Sequence, residues 1–251
     1  MAEYPVKSST NRKKQLMNNS TSTKPSIVLV HGAFADASGW QKVIPLLEKD
    51  GFSVTAVQNP LKSIAEDVAT TKRVIESQKG DVVLVGHSYG GAIITGAGAN
   101  NPKVKALVYV AAFAPDAGET LGALIGQFPP TPLGSGLVPD SAGFLHIDRA
   151  KFREIFATDV PEGEAATMAA TQKPIAGAAF GETQPVAAWK TIPSWYVVST
   201  QDQAINPEAE RFMAKRMSAH TTEIEASHVS FISQPAKIAA IIEEAAGTSK
   251  Q

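Results

Sequence analysis

The fold is decided by Asp81-Val82-Val83-Leu84-Val85-Gly86-His87-Ser88-Tyr89-Gly90-Gly91-Ala92-Ile93-Ile94. Val82 to Val85 form an apolar run without a polar break, the signature of a parallel strand buried on both faces. The small-residue stretch from Tyr89 onward reads as a helix that must fold back on that strand. Gly86 and Gly90 lack a Cβ, so strand and helix can approach closely and leave Ser88 in a strained turn. A serine held there points its hydroxyl out of the carboxyl edge of the sheet, at a helix N-terminus. This is the geometry of a nucleophile elbow. A serine alone cannot carry out acyl transfer, so the chain must also supply a base, an acid and an oxyanion site.

Outward from this stretch, strands alternate with helices. Ser26 to Val30 is a buried strand left by the loop His31-Gly32-Ala33-Phe34. Trp40 to Leu47 reads as a helix, Ser53 to Val57 as a strand, and Ser63-Ile64-Ala65-Glu66 as a capping box opening a helix to about Lys79. Asn100-Asn101-Pro102 stops the helix after the elbow, and Ala106 to Ala111 is another strand. Between Asp116 and Ala188 the rhythm breaks, with a Gly/Pro-rich loop and short helical pieces near 149–157 and 162–171. Strands at Ser194 to Ser199 and Thr222 to Ala226 follow. A helix is expected from Asn206-Pro207-Glu208, and a closing helix at Gln234 to Ala246. Six strands in this rhythm predict an α/β chain: a three-layer α/β/α, doubly wound, mostly parallel sheet. Residues 26–115 and 189–251 are read as its core, 116–188 as an inserted cap over the carboxyl edge, and 1–25 as a flexible polar and basic arm.

The composition narrows the function. Basic and acidic residues number 23 and 24, which leaves no charge footprint for nucleic acid or a membrane surface. With no cysteine there is neither a disulfide frame nor a thiolate nucleophile or ligand. No apolar run reaches the roughly 18 residues of a membrane span. The first 25 residues lack the apolar stretch of a secretory signal, so a cytoplasmic location is the default expectation, with a processed secreted form left open. No Gly-x-Gly-x-x-Gly follows the first strand, no Gly-Lys-Ser/Thr is present, and no His-Glu-x-x-His cluster points to a metal. No cofactor and no metal are expected. The sequence leaves the oligomeric state open.

Of the five histidines, His228 follows the last strand and stands on the same sheet edge as Ser88, which makes it the candidate base. His31 and His87 also lie there and are read as structural hydrogen-bonders, His146 as a cap residue, and His220 as solvated. Asp202 ends the preceding strand and is favoured as the acid over its rival Asp116, because the order Ser, Asp, His is the one this arrangement uses. Two backbone donors are expected for an oxyanion, the N–H of Tyr89 and one from the His31 to Phe34 loop, best placed at Ala33.

With those residues in place, the chain from Ser26 onward resembles the α/β-hydrolase superfamily. It is most similar in look to the branch of plant methylesterases, hydroxynitrile lyases and their bacterial esterase relatives. The resemblance rests on Val28-Leu29-Val30-His31-Gly32-Ala33, Gly86-His87-Ser88-Tyr89-Gly90-Gly91, Asp202 and Ser227-His228. Those lyases of the branch that work through a threonine and a lysine would have them where Gly32 and Val229 stand here, so the resemblance implies hydrolysis of a small ester or lactone through a seryl acyl-enzyme. A pocket lined by Phe34, Tyr89, Phe113, Phe128, Phe144, Phe180 and Val229 is expected. The absence of Arg or Lys beside the motifs predicts a neutral, fairly apolar substrate. Two alternatives stay open: another reaction on the same triad, such as C–C cleavage or perhydrolysis, and a non-catalytic ligand-binding receptor.

Overall fold

The computed structural model describes residues 24–248. The expected N-terminal arm therefore lies, except for its last two residues, outside the described residues. Strands and helices follow in the order β1 (Ser26–Val30), α1 (Ile44–Lys49), β2 (Val54–Val57), α2 (Ile64–Ser77), β3 (Val82–His87), α3 (Tyr89–Ala97) and β4 (Val104–Val110). Next come α4 (Leu121–Ile125), α5 (Pro132–Gly136), β5 (Leu137–Pro139), β6 (Phe144–Ile147), α6 (Phe152–Phe156), α7 (Glu162–Thr171) and β7 (Ile175–Ala176). The chain closes with β8 (Ser194–Ser199), α8 (Pro207–Arg216), β9 (His220–Ile224), α9 (Ser230–Ser233) and α10 (Pro235–Thr248).

Six strands form one sheet in the order β2-β1-β3-β4-β8-β9, and every pair in it is parallel. All carboxyl ends therefore lie on one edge. Val82 to Val85 in the middle of the sheet are fully buried, because helices cover both faces, and each such side chain contributes about 1.5–3 kcal/mol. α2 lays Ile64, Asp67, Thr71 and Ile75 inward at helical spacing, and the Ser63 side chain caps it by accepting from the N–H of Glu66 at 3.0 Å. In α8, Asn206 caps and Pro207 occupies the first turn, as expected.

Three local readings shift. The helix expected from Trp40 is a 3₁₀ helix (Ala37–Lys42) followed by α1. Pro45 has no N–H to continue a ladder, so it restarts the helix in its own first turn. The last strand begins two residues earlier than expected. His220 and Thr221 are polar and exposed, yet they pair with Trp195 and Tyr196 of β8, and backbone pairing at a sheet edge does not require an apolar pattern. Between β4 and β8 the chain also builds an antiparallel β5-β6-β7 sheet. Its strands, with three, four and two residues, are too short to show alternation.

That middle segment is tied to the core at several points. Lys42 pairs with Glu164 at 2.7 Å, the N–H of Ile64 donates to Glu182, and Thr131 Oγ1 donates to the carbonyl of Ala204. Lys173 Nζ donates to the carbonyl of Asn59. The contacts at Asn59 and Ala204 fasten the segment to the loops that leave the carboxyl ends of β2 and β8.

Candidate active site

Ser88 stands between β3 and α3 with φ 53° and ψ −124°, a conformation that costs a non-glycine residue of order 1–3 kcal/mol. The close packing around it over-determines that strain. A Cβ on Gly90 would come within 2.4 Å of the carbonyl oxygen of Val30, so only glycine lets α3 cross β1 at this distance. The N–H of Ser88 donates to the carbonyl of Val110, and its own carbonyl accepts from the N–H groups of Gly91 and Phe113. The backbone is held on both sides, and the side chain is left facing the edge.

His228 lies beyond β9, fully buried, with Nδ1 at 2.5 Å from Oδ2 of Asp202. The other carboxylate oxygen of Asp202 accepts from the N–H groups of Ala204 and Ile205, at 2.6 and 2.9 Å, which fixes its orientation. With Asp202 accepting, the ring proton belongs on Nδ1 and the lone pair on Nε2. Among the described residues Nε2 has no hydrogen-bond partner, the Ser88 hydroxyl included. Such contacts are often loose in an empty site and tighten around substrate. Asp116 is instead paired with Lys190 at 2.5 Å.

The neighbouring histidines support the backbone. His87 Nε2 donates to the carbonyl of His228 at 2.9 Å, and its ring packs 4.7 Å from that of His228. Burial, then the adjacent His228, hold the His87 pKa well below the usual value, so the ring is neutral. His31 Nδ1 donates to the carbonyl of Gly32, and Nε2 accepts from the N–H of Asn59. Burial lowers its pKa from 6.5 to about 4. His146 lies on β6, and His220 is exposed and stacked on Trp195.

Ala33 follows Gly32 in the loop that faces Ser88. A Cβ on Gly32 would stand 2.7 Å from the Cβ of Ser88 and 3.0 Å from the carbonyl of His87. Only glycine at position 32 permits so tight a backbone approach. It allows a loop to press directly on the serine. Among the described residues, neither the N–H of Ala33 nor that of Tyr89 is taken by another group. Tyr89 begins α3, where unpaired N–H groups favour an anion.

Beside His228 a small open cleft of about 50 Å³ runs between the 34–39 loop, α7 and the residues after His228. Phe34 and Val229 line it, together with Phe156, Met168, Phe231 and Ile232, which sequence reasoning missed. Phe156 packs its ring 4.7 Å from that of His228. The other expected pocket residues lie elsewhere. Phe113 is buried beneath Ser88, Phe128 packs on Phe212, Phe144 stands in β6, and the Phe180 ring is 6.4 Å from that of Tyr89.

Three other polar groups escaped sequence reasoning. Glu210 is fully buried next to Asp202 and accepts from the N–H of Ser199; burial, then the Asp202 charge, push its pKa well above the usual carboxylate range. Asp159 accepts from the N–H and hydroxyl of Ser227 and from the hydroxyl of Ser233, bracketing His228. Lys173 brings a cation next to the loop motif, against the expectation that none stands there, but its ammonium is engaged by the Asn59 carbonyl. Its signal is absent from the sequence because Asn59 is 114 residues away. Among the described residues, no group of three or more His, Cys, Asp or Glu could hold a metal ion.

The family model for the alpha/beta hydrolase family matches residues 27–241. A probable hydrolase, R7, from a Phoma species is 28% identical over 246 residues, covering 90% of this chain and 99% of the relative. Alpha-hydroxynitrile lyase of Arabidopsis thaliana is 35% identical over 127 residues, 45% of this chain and 49% of the lyase. The crystal structure of a pyrethroid hydrolase from Sphingobium faniae JZ-2 superposes with a TM-score of 0.78 at 25% identity, over 89% of this chain and 97% of that one.

Proposed function

The chain belongs to the alpha/beta hydrolase family, and from that premise we propose that it hydrolyses small, fairly apolar carboxylic esters or lactones through an acyl-enzyme on Ser88. The observation that carries this reading is the buried Asp202–His228 pair at 2.5 Å with Nε2 left free on the edge that holds the strained Ser88.

In this reading Ser88 Oγ attacks the ester carbonyl carbon while His228 Nε2 takes its proton, and Asp202 holds the ring and stabilises the imidazolium. The carbonyl oxygen becomes an oxyanion held by the N–H groups of Ala33 and Tyr89; loss of one such donor typically costs about 2.7–4 kcal/mol of barrier. The C–O bond to the leaving alcohol breaks as His228 returns the proton to it. Water, deprotonated by the same nitrogen, then releases the acid.

The apolar cleft supports a hydrophobic substrate group, and Asp36 at its rim disfavours a carboxylated one. Cyanohydrin cleavage is less well supported. A side chain at position 32 has no room against Ser88, and Val229 is buried and apolar where a cation would be needed. The test is turnover of p-nitrophenyl acetate and butyrate beside mandelonitrile. Ester hydrolysis lost in Ser88→Ala is the expected result, and turnover surviving that change contradicts the mechanism.

A further inference from the structure

We propose that Asp67 is the positioning residue of the oxyanion site, a single buried carboxylate that fixes both of its donors. This rests on the hydrolase reading above. Asp67 is on α2, outside the motifs that mark the site, and is fully buried. Oδ2 accepts the phenol proton of Tyr89 at 2.8 Å, and Oδ1 accepts the N–H of Leu61 at 2.9 Å.

Each bond leads to one donor. Tyr89 follows the nucleophile, and its N–H is the first donor, so anchoring its phenol holds the first turn of α3. Leu61 sits at φ 60°, fully buried, with its N–H directed to Asp67. Two residues earlier, Asn59 donates its N–H to His31 Nε2 and its side-chain amide to the His31 carbonyl, both at 2.9 Å. His31 Nδ1 in turn donates to the carbonyl of Gly32 at 2.8 Å, next to Ala33, the second donor. These hydrogen bonds, joined by the short backbone from Asn59 to Leu61, therefore tie the residues that carry the two donors together through Asp67.

A buried carboxylate is retained only where its lone pairs are satisfied. Here they are satisfied by one group from each side of the oxyanion site. An exposed acid in the first turn would serve the α2 dipole equally well, so the burial is explained by what Asp67 holds. Preset donors are what oxyanion stabilisation requires, since they must not reorganise as charge develops.

The test uses Tyr89→Phe, Asp67→Ala and the double variant in the full chain, with p-nitrophenyl butyrate turnover and two ligands. One is a trifluoromethyl ketone, to whose carbonyl carbon Ser88 Oγ adds while its proton passes to His228, leaving an oxyanion. The other is the corresponding unreactive alcohol. Tyr89→Phe, which keeps every backbone group and removes one hydroxyl, should lower kcat about tenfold with KM within twofold. Asp67→Ala should lower kcat about 100-fold, and the double variant should match Asp67→Ala. Ketone affinity should fall in step with kcat while alcohol affinity stays constant. A merely structural role would lower the melting temperature without separating the two ligands. Wild-type kcat and ketone affinity in both single variants overturn this assignment alone. A wild-type protein that neither cleaves ester nor takes up the ketone overturns the hydrolase reading and this assignment with it.

Discussion

Gly32→Ala tests the packing of the loop on the nucleophile. The added Cβ would meet the Cβ of Ser88 at 2.7 Å, the carbonyl oxygen of His87 at 3.0 Å and His87 Nδ1 at 3.2 Å. Carbon–carbon contacts settle at about 3.5–4.0 Å, so the gap is short by about 1 Å. None of these atoms can swing away, because Ser88 and His87 lie in backbone held by β3 and α3. The loop must therefore retreat and take the N–H of Ala33 with it. A misplacement of about 1 Å costs about 100-fold, and loss of one oxyanion donor costs about 2.7–4 kcal/mol, or 10²–10³ in kcat. The two estimates meet near 100-fold. Overpacking should also lower stability by about 1–3 kcal/mol. The assay is kcat and KM on p-nitrophenyl butyrate with a thermal melt, beside Gly134→Ala, where nothing lies within 4 Å of the new Cβ and activity should be unchanged. Gly32→Ala turning over within threefold of wild type would refute the argument.

Other predictions concern protons and the segment between β4 and β8. His31 should titrate near pH 4 by NMR; a midpoint above 6 contradicts its neutral, doubly bonded placement. Because its folded pKa is depressed from 6.5 to about 4, its contribution, about 3 kcal/mol, is complete above pH 6.5 and is lost as pH falls to about 4. Glu210 acts in the opposite sense: its raised folded pKa gives stability that is complete below the unfolded value and lost as pH rises. Glu210→Gln should therefore stabilise the protein relative to wild type by an amount that grows from pH 4.5 to 8, measured by urea unfolding, and a difference independent of pH would contradict this. Asp159→Ala frees the N–H and hydroxyl of Ser227 and the hydroxyl of Ser233, so kcat should fall on the order of tenfold as His228 loosens. Unchanged kcat would mean that the His228 loop stands without it.

The sheet was legible because Val82 to Val85 and the other strands are apolar runs, and runs buried on both faces announce themselves in sequence. The positions of Ser88, Asp202 and His228 were legible because each ends a strand, and parallel strands bring their ends to one edge. The polar start of β9 and the small sheet β5-β6-β7 were not, since backbone pairing made them and side-chain pattern did not. The lining of the cleft was only partly legible. Phe34 and Val229 adjoin motifs, whereas Phe156 and Met168 reach the cleft from the segment between β4 and β8 through tertiary packing alone. Asp67, Asp159, Glu210 and Lys173 were hidden for a related reason. As isolated charges on helices or loops they read as solvated, and only their partners, Tyr89, Ser227, Asp202 and Asn59, give them a place.

The central claim is that Ser88 is the attacking atom. Labelling with a fluorophosphonate followed by peptide mass spectrometry tests it most directly. A phosphonyl adduct on Ser88, formed with loss of esterase activity and abolished in His228→Gln, is the predicted result. No adduct, or an adduct on another residue while ester turnover continues, would contradict it.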